Sequence, residues 1–233
     1  RSAPMAWFET IGGVLRAAGL RQCRHDPCMF VWRKEGELKG ALHLHVDDVQ
    51  DAGDEDWKQR LKEVERRLNF EEAESGSYLH LGVEIDQSED RGNIKMALAA
   101  RIDTLGKKAT HNLMKVKRGD QKMGVDKEEE EAYRSIVGSL LWIGHTVRPD
   151  VAVISGELSG KMEVTRHMVT QAQKTVRYLE HTRTEGLVYR KVEGELHMYC
   201  YADAASQTTR GYTSRGGSLI MISSGPETKS EET

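Results

Sequence analysis

Residues 42–48 read Leu42-His43-Leu44-His45-Val46-Asp47-Asp48, an alternating segment that ends in two adjacent acids. Two neighbouring carboxylates repel each other and are costly to desolvate, and a divalent cation offsets that cost. The alternative is a plain strand that ends at a polar turn, where Asp is common. The alternation predicts a strand with two distinct faces, one carrying His43, His45 and Asp47 and the other Leu42, Leu44, Val46 and Asp48.

Length and composition limit the classes of protein to consider. The chain has 233 residues, of which 38% are hydrophobic, 6% aromatic and 30% charged. This length suits one large domain or two small ones, and the lean apolar content is typical of a piece that packs on something else. The formal net charge is −3, so global charge gives no support for nucleic-acid binding and any such surface must be local.

Cysteine usage and hydropathy indicate an intracellular protein, cytoplasmic or nuclear. Cys23, Cys28 and Cys200 form an odd, sparse set, which argues for a reducing compartment and against a disulfide framework. The sequence has no apolar run of membrane length and no signal peptide, so no membrane partner is expected. The chain begins with Arg1 rather than Met, which predicts an excised or incomplete piece.

The spacing of apolar residues predicts a protein of the α+β class. A polar loop over residues 110–127 carries candidate phosphate contacts at Lys115, Lys117, Arg118 and Lys122. The predicted elements are a helix that ends at Gly19, strands over 30–33 and 41–46, a helix over 55–70, strands over 78–85 and 94–98, helices after residue 99, and strands over 186–190 and 196–202.

Short motifs follow one another in a distinctive order along the first part of the chain. The chain opens with Ser2-Ala3-Pro4-Met5-Ala6-Trp7-Phe8, and Gly19-Leu20, Asp26-Pro27-Cys28-Met29-Phe30 and His45-Val46-Asp47-Asp48 follow. In order and spacing these motifs resemble those of copia-type LTR-retrotransposon polymerases, which have a Ser-Pro-x-x-Trp-Phe helix, an Asp-x-x-x-Phe strand and a Tyr-x-Asp-Asp hairpin. His45 stands where that family has Tyr.

The resemblance continues downstream. Residues 78–85 resemble the family's Phe-Leu-Gly-Ile-Glu-Ile strand, the primer-grip region, and residues 133–141 resemble its thumb helix. Arg148-Pro149-Asp150 matches its Thr-Arg-Pro-Asp turn, with Val147 in place of Thr. Tyr201-Ala202-Asp203-Ala204 resembles the Tyr-Ser-Asp-Ala that opens the family's ribonuclease H domain, although the Trp that follows in the family is Ala205 here.

The resemblance implies an RNA-directed DNA polymerase with ribonuclease H, truncated at both ends. It implies a partial polymerase palm in residues 1–98, built from an antiparallel hairpin plus helices and carrying the primer-grip-like strand. A helical thumb is expected in residues 99–184, and the first strands of a ribonuclease H-like domain in residues 185–233. The polymerase region upstream of Arg1 is expected to be missing, and this chain alone is expected to be inactive.

The same resemblance implies a set of site residues. Asp47, Asp48 and Asp203 would be catalytic and metal-binding, with Mg²⁺ or Mn²⁺ as the cofactor of a two-metal nucleotidyl transfer. His45, Leu81 and Gly82 would contact the primer or another part of the nucleic acid. The expected partners are an RNA or DNA template with its primer and, in the intact enzyme, deoxynucleotides.

Two other interpretations stay open at this point. His43, His45 and Asp47 also resemble the His-x-His-x-Asp metal string of the metallo-β-lactamase fold, although that string normally ends in another His where this chain has Asp48. A zinc hydrolase of that kind needs further His ligands on later loops, and no ordered set of them follows. The third interpretation is a degenerate transposon fragment that folds but catalyses nothing.

Overall fold

The computed structural model describes residues 3–68, 74–113, 124–160, 163–205 and 215–225. The chain divides into two compact units, Arg1–Ala73 and Glu74–Thr233. The predicted boundary after residue 98 therefore falls inside the second unit. Helices and antiparallel sheets occur in both units, so the architecture of the described residues is α+β. Among the helices of the described ranges, none combines the length and apolar character that a membrane span requires.

The first unit consists of a four-stranded antiparallel sheet with two helices on one of its faces. The strands lie in the order β1-β2-β3-β4. Side chains from the sheet and from both helices meet in one core, which includes Leu15, Phe30, Leu42 and Val64. The elements are α1 (Ala3–Ala17), β1 (Arg21–Gln22), β2 (Met29–Lys34), β3 (Glu37–His45), β4 (Asp48–Gly53) and α2 (Glu55–Leu68).

The Trp57 side chain of α2 lies directly on the paired glycines of β3 and β4. Gly40 and Gly53 face each other across the two strands. A Cβ on Gly40 would lie 2.1 Å from Trp57 Cδ2, and a Cβ on Gly53 would lie 2.3 Å from Trp57 Cγ. The buried indole N–H donates to Asp51 Oδ1 over 2.7 Å. The ring therefore fits only because both strand positions lack a side chain.

The second unit has a four-stranded antiparallel sheet in the order β5-β6-β7-β8, a group of helices and a separate two-stranded sheet. Its core is formed by apolar side chains of β6 and the helices, among them Ile85, Ile102, Leu140 and Leu179. The elements are β5 (Ser77–His80), β6 (Val83–Gln87), β7 (Asn93–Ala97), α3 (Ala99–Leu113), α4 (Lys127–Thr146), a 3₁₀ turn (Pro149–Val151), α5 (Ala152–Ser159), α6 (Arg166–His181), β8 (Leu187–Arg190), β9 (Leu196–Ala205) and β10 (Arg215–Ser224).

The predicted single strand over residues 78–85 is wrong. It is a hairpin in which His80 pairs with Val83, and Leu81 and Gly82 form its two-residue turn with φ of 50° and 81°. Both central residues thus have the positive φ that suits the right-handed twist of hairpin strands. The turn was hidden from the sequence because apolar residues continue through it, and periodicity alone does not mark where an apolar run folds back.

The strand after α6 belongs to the same sheet as the strands before α3. Residues 187–190 of β8 pair with β7, so that Leu187 faces Met96 and Arg190 faces Asn93. A domain boundary after residue 184 would therefore separate two paired strands of one sheet. The sequence could not show this pairing, because about ninety residues lie between the two partners and only tertiary contacts bring them together.

A buried arginine fixes the end of α4 to the end of α6. The Arg148 side chain is 2% exposed and donates to both carboxylate oxygens of Asp150, over 3.0 and 2.7 Å. It also donates to the backbone oxygen and the hydroxyl of Thr182, over 2.9 and 2.7 Å. The Tyr178 hydroxyl donates to Asp150 as well. The hydrogen bonds from Arg148 and then Tyr178 lower the pKa of Asp150.

Candidate functional site

The two adjacent acids lie at the hairpin turn between β3 and β4. β3 ends at His45, Val46 and Asp47 form the turn, and Asp48 opens β4 opposite His45. The prediction that Asp47 continues the strand is therefore wrong, because the chain reverses one residue earlier. Directly paired residues of antiparallel strands point to the same side of the sheet. Asp48, not Asp47, thus shares a face with His43 and His45.

Both carboxylates are exposed to solvent, at the end of the sheet where the β3–β4 turn lies. His45, Val46, Asp47 and Asp48 are all exposed, whereas Leu42 and Leu44 of the same strand are buried. The buried leucines fix the register of β3, since a slip by one residue would move them out of the core. The core therefore sets where the turn falls, and the turn sets where the two acids are presented.

The turn has an unusual backbone at its first residue. Val46 has φ of 57°, in the left-handed region that β-branched residues rarely adopt. Its side chain is in solvent, with the residue 66% exposed. Its backbone oxygen accepts a hydrogen bond of 2.8 Å from Trp7 Nε1 of α1. A residue of the predicted Trp-Phe helix motif therefore contacts the turn that carries the acids.

Among the described residues, the histidines of β3 have no further side chains around them that would complete a zinc site. His43 Nε2 lies 3.8 Å from Asp26 Oδ2, and both side chains are partly exposed. In the ranges that the structure describes, no three His, Cys, Asp or Glu side chains come together in an arrangement that could hold a metal ion. Asp47 lies in the turn and not in β3. His43, His45 and Asp47 therefore do not share one strand face, as the hydrolase interpretation had assumed.

Leu81 and Gly82 lie at the exposed tip of the β5–β6 hairpin in the second unit. A Cβ on Gly82 would be 3.9 Å from Cη2 of Trp142, which belongs to α4. The Arg101 guanidinium of α3 lies over the Trp142 ring, 5.4 Å from its centroid. The hairpin tip, the aromatic ring and the cation thus form one surface, here called the Trp142 surface and consisting of Leu81, Gly82, Arg101 and Trp142.

Asp203 lies near the end of β9, where it pairs with Gly217 of β10. It is exposed, and its carboxylate accepts a hydrogen bond from the Ala204 backbone N–H over 2.9 Å. The neighbouring side chains of this two-stranded sheet are mostly apolar and exposed, including Met198, Tyr201, Ile220 and Ile222.

Comparison with known proteins gives a distant relative from yeast. The chain is 25% identical over 248 residues to "Putative transposon Ty5-1 protein YCL074W" of Saccharomyces cerevisiae, and the alignment covers 100% of this chain and 78% of the yeast protein. The chain is distantly related to a transposon protein. No protein-family model matches the chain, and neither does any solved structure. The similarity supports a transposon-related origin, in agreement with the motifs.

Within this transposon-related chain, sequence reasoning identified some of the site residues and missed others. Trp7 was part of a quoted motif, but its contact with the turn was not expected. Trp142 and Arg101 were missed altogether, although Trp142 is a large aromatic that falls outside the buried stripe of α4. The basic residues proposed for phosphate contact, Lys115, Lys117, Arg118 and Lys122, lie outside the described residues.

Proposed function

We propose that this chain carries the carboxylate hairpin of a copia-type RNA-directed DNA polymerase, with Asp47 and Asp48 as ligands of Mg²⁺ or Mn²⁺. The observation that carries the proposal is the two-residue turn between β3 and β4, which presents two adjacent exposed carboxylates. The buried leucines of β3 fix the position of this turn. Carboxylate oxygens are the hard ligands that Mg²⁺ prefers. The order of the quoted motifs and the similarity to a transposon protein support the same assignment.

The bound cations would activate the primer hydroxyl and stabilise the leaving pyrophosphate. The contribution of the chain itself is to hold two negative charges next to each other at the turn. Asp47, on the turn itself, is free of the strand ladder, whereas Asp48 is held by its pairing with His45. We therefore assign the direct ligand role to Asp47, with Asp48 shaping the field around it. His45 occupies the position beside the primer end.

Two carboxylates alone make a weak site. A two-metal site needs a further carboxylate to bridge both ions, and among the described residues no three His, Cys, Asp or Glu side chains come together so that they could hold a metal ion. The proposal therefore includes weak cation binding and no template-directed extension by this chain alone. Asp203 is proposed as the first metal-binding carboxylate of a ribonuclease H-like part, although in the described residues it belongs to no group of three side chains that could hold a metal ion.

The Trp142 surface is proposed as a contact for nucleic acid. Bases stack on aromatic rings without sequence preference, and an arginine over such a ring adds a cation that attracts phosphate. Trp142 and Arg101 provide both groups beside Leu81 and Gly82, the residues assigned to the primer by the motif. The net charge of the whole chain is −3, so a surface that binds nucleic acid needs its positive charge locally, and the Arg101 guanidinium supplies such a charge.

The experiment that tests the metal assignment is Mn²⁺ titration followed by paramagnetic broadening of backbone amide signals. Broadening is expected to centre on residues 45–48 and to disappear in Asp47→Asn. Glu35→Gln is the matched control, because Glu35 is an acid in the other hairpin turn of the same sheet, and it also has positive φ. Broadening that persists in Asp47→Asn would contradict the proposal, and tight stoichiometric zinc at His43 and His45 would favour the hydrolase.

The second candidate is a transposon-derived chain without catalytic activity. The observation that favours it is His45 in place of the family Tyr, together with the lack, among the described residues, of a group of three acidic, His or Cys side chains that could hold a metal ion. The same titration separates the two candidates. A chain that no longer needs a cation site is expected to show only diffuse broadening, spread over its exposed acids and equal in Asp47→Asn and Glu35→Gln.

A further inference from the structure

In the first unit, a hydrogen bond links α1 to the turn that carries Asp47 and Asp48. Trp7 Nε1 donates to the backbone oxygen of Val46 over 2.8 Å, across 39 residues of sequence. We propose that Trp7 is a positioning residue that holds the turn in the conformation in which Asp47 and Asp48 can share a cation. The inference rests on the proposed function, because it concerns the geometry of that same pair of acids.

The Val46 backbone does not reach its conformation through its own preference. Its φ of 57° forces the β-branched side chain against the neighbouring carbonyl oxygen, which is why Gly or Asn normally occupies such a position. The side chain has no packing to compensate, since it is largely in solvent. Strained residues of this kind persist only where surrounding contacts determine them. The Trp7 hydrogen bond is such a contact.

The bond acts on the peptide unit from which Asp47 starts. The Val46 oxygen, its carbonyl carbon, the Asp47 nitrogen and the Asp47 Cα lie in one plane, because the peptide bond is planar. A donor that fixes the direction of this oxygen therefore fixes the orientation of that plane. The orientation of this plane sets the direction of the Asp47 side chain. It therefore also sets how closely the Asp47 carboxylate can approach the carboxylate of Asp48.

The helix that carries Trp7 is held by the core of the first unit. Trp7 lies four and eight residues before Ile11 and Leu15, which are both buried against the sheet, so the three side chains share one face of α1. Core packing of the helix thus positions the indole ring, and the ring positions the turn. Trp7 itself is 38% exposed, and its N–H reaches the Val46 oxygen of the turn.

The test compares Trp7→Phe, Val46→Gly and their combination with the unchanged chain. Phe keeps the ring and removes the donor, and Gly adopts positive φ without strain, so it needs no anchor. Trp7→Phe is expected to weaken Mn²⁺ binding at the turn about 3- to 10-fold, whereas in the Val46→Gly background the same change should weaken it less than about twofold. Trp32→Phe is the matched control, because it also removes an indole N–H from the first unit while the bond from Trp7 to Val46 stays in place.

A second readout needs no metal. The Trp7 indole N–H signal, assigned by its loss in Trp7→Phe, is expected to exchange with solvent at least about tenfold more slowly than that of Trp142, since a hydrogen-bonded proton is protected. Equal exchange of the two indoles would overturn the inference, as would unchanged Mn²⁺ affinity in Trp7→Phe when Asp47→Asn has lost binding. If no localised Mn²⁺ site exists in the unchanged chain, the proposed function fails, and slow Trp7 exchange would leave the anchored turn standing as a structural element only.

Discussion

Replacement of Gly40 by Ala is expected to destabilise the unit that carries the acidic turn. The added methyl carbon would lie 2.1 to 2.5 Å from three atoms of the Trp57 ring, which is buried and cannot rotate away without losing its hydrogen bond to Asp51. Overpacking costs about 1–3 kcal/mol, and loss of a typical hydrogen bond about 1 kcal/mol. The free energy of unfolding should therefore fall by roughly 2–4 kcal/mol, the sum of these two costs.

The assay is a urea titration followed by the backbone amide signals of β3, which report on the first unit alone. Gly13→Ala is the control, because Gly13 lies in α1 with no heavy atom within 4 Å of its would-be Cβ. Ala at that helical position should raise the free energy of unfolding by about 0.5–1 kcal/mol. Gly40→Ala with an unchanged urea midpoint and an unchanged Trp57 indole signal would show that the ring does not rest on Gly40, and the reasoning about this packing would be refuted.

Two further predictions concern the buried arginine and the histidine of the turn. Arg148→Met should lower the free energy of unfolding of the second unit by roughly 3 kcal/mol. This is the lower end of the range for breaking a buried ion pair, because the Asp150 side chain is 38% exposed and keeps part of its hydration. Since Arg148 lowers the pKa of Asp150, the stability from this pair is complete above the unfolded pKa of about 3.9 and is lost as the pH falls through the lower folded value. Thermal unfolding between about pH 2 and 6 should therefore depend less steeply on pH in Arg148→Met, and an equal slope would contradict the assignment. His45→Tyr should leave the free energy of unfolding within about 0.5 kcal/mol, because the position is exposed and Tyr suits strands. Mn²⁺ broadening should survive the change, and its loss would mean that His45 is itself a ligand.

The elements that the sequence predicted correctly are those in which local pattern and core contacts agree. The stripe of α2 is one, since Trp57 and Val64 are both buried as their helical spacing requires. The missed elements depend on contacts between distant residues. β4 contains Asp48, Asp51 and Gly53, which are residue types that strands disfavour, and it is a strand because β3 pairs with it and Trp57 covers its last residue.

The candidate site shows the same division. The acid pair was visible in the sequence, but its position depends on where the β3–β4 turn begins. That turn begins at Val46, which the sequence does not mark as a turn residue because valine prefers extended backbone. The Trp7 hydrogen bond spans 39 residues and the contact of Arg148 with Thr182 spans 34. No periodicity or local motif encodes a pairing over such distances, so only the folded chain could show either contact.

The strain at Val46 bears on whether the acidic turn serves a function. A chain that only has to fold gains nothing from a valine in the left-handed region, because glycine at the same place would remove the strain without disturbing a core contact. Stability lost at one exposed residue is typical of positions where geometry matters for something other than folding. Here that residue immediately precedes the two acids and is bonded to a tryptophan of another element. The turn therefore favours the polymerase proposal over the non-catalytic one. Val46→Gly supplies the measurement of the strain, since a gain in the free energy of unfolding would show that Val46 is strained, and an unchanged free energy of unfolding would show that it is not.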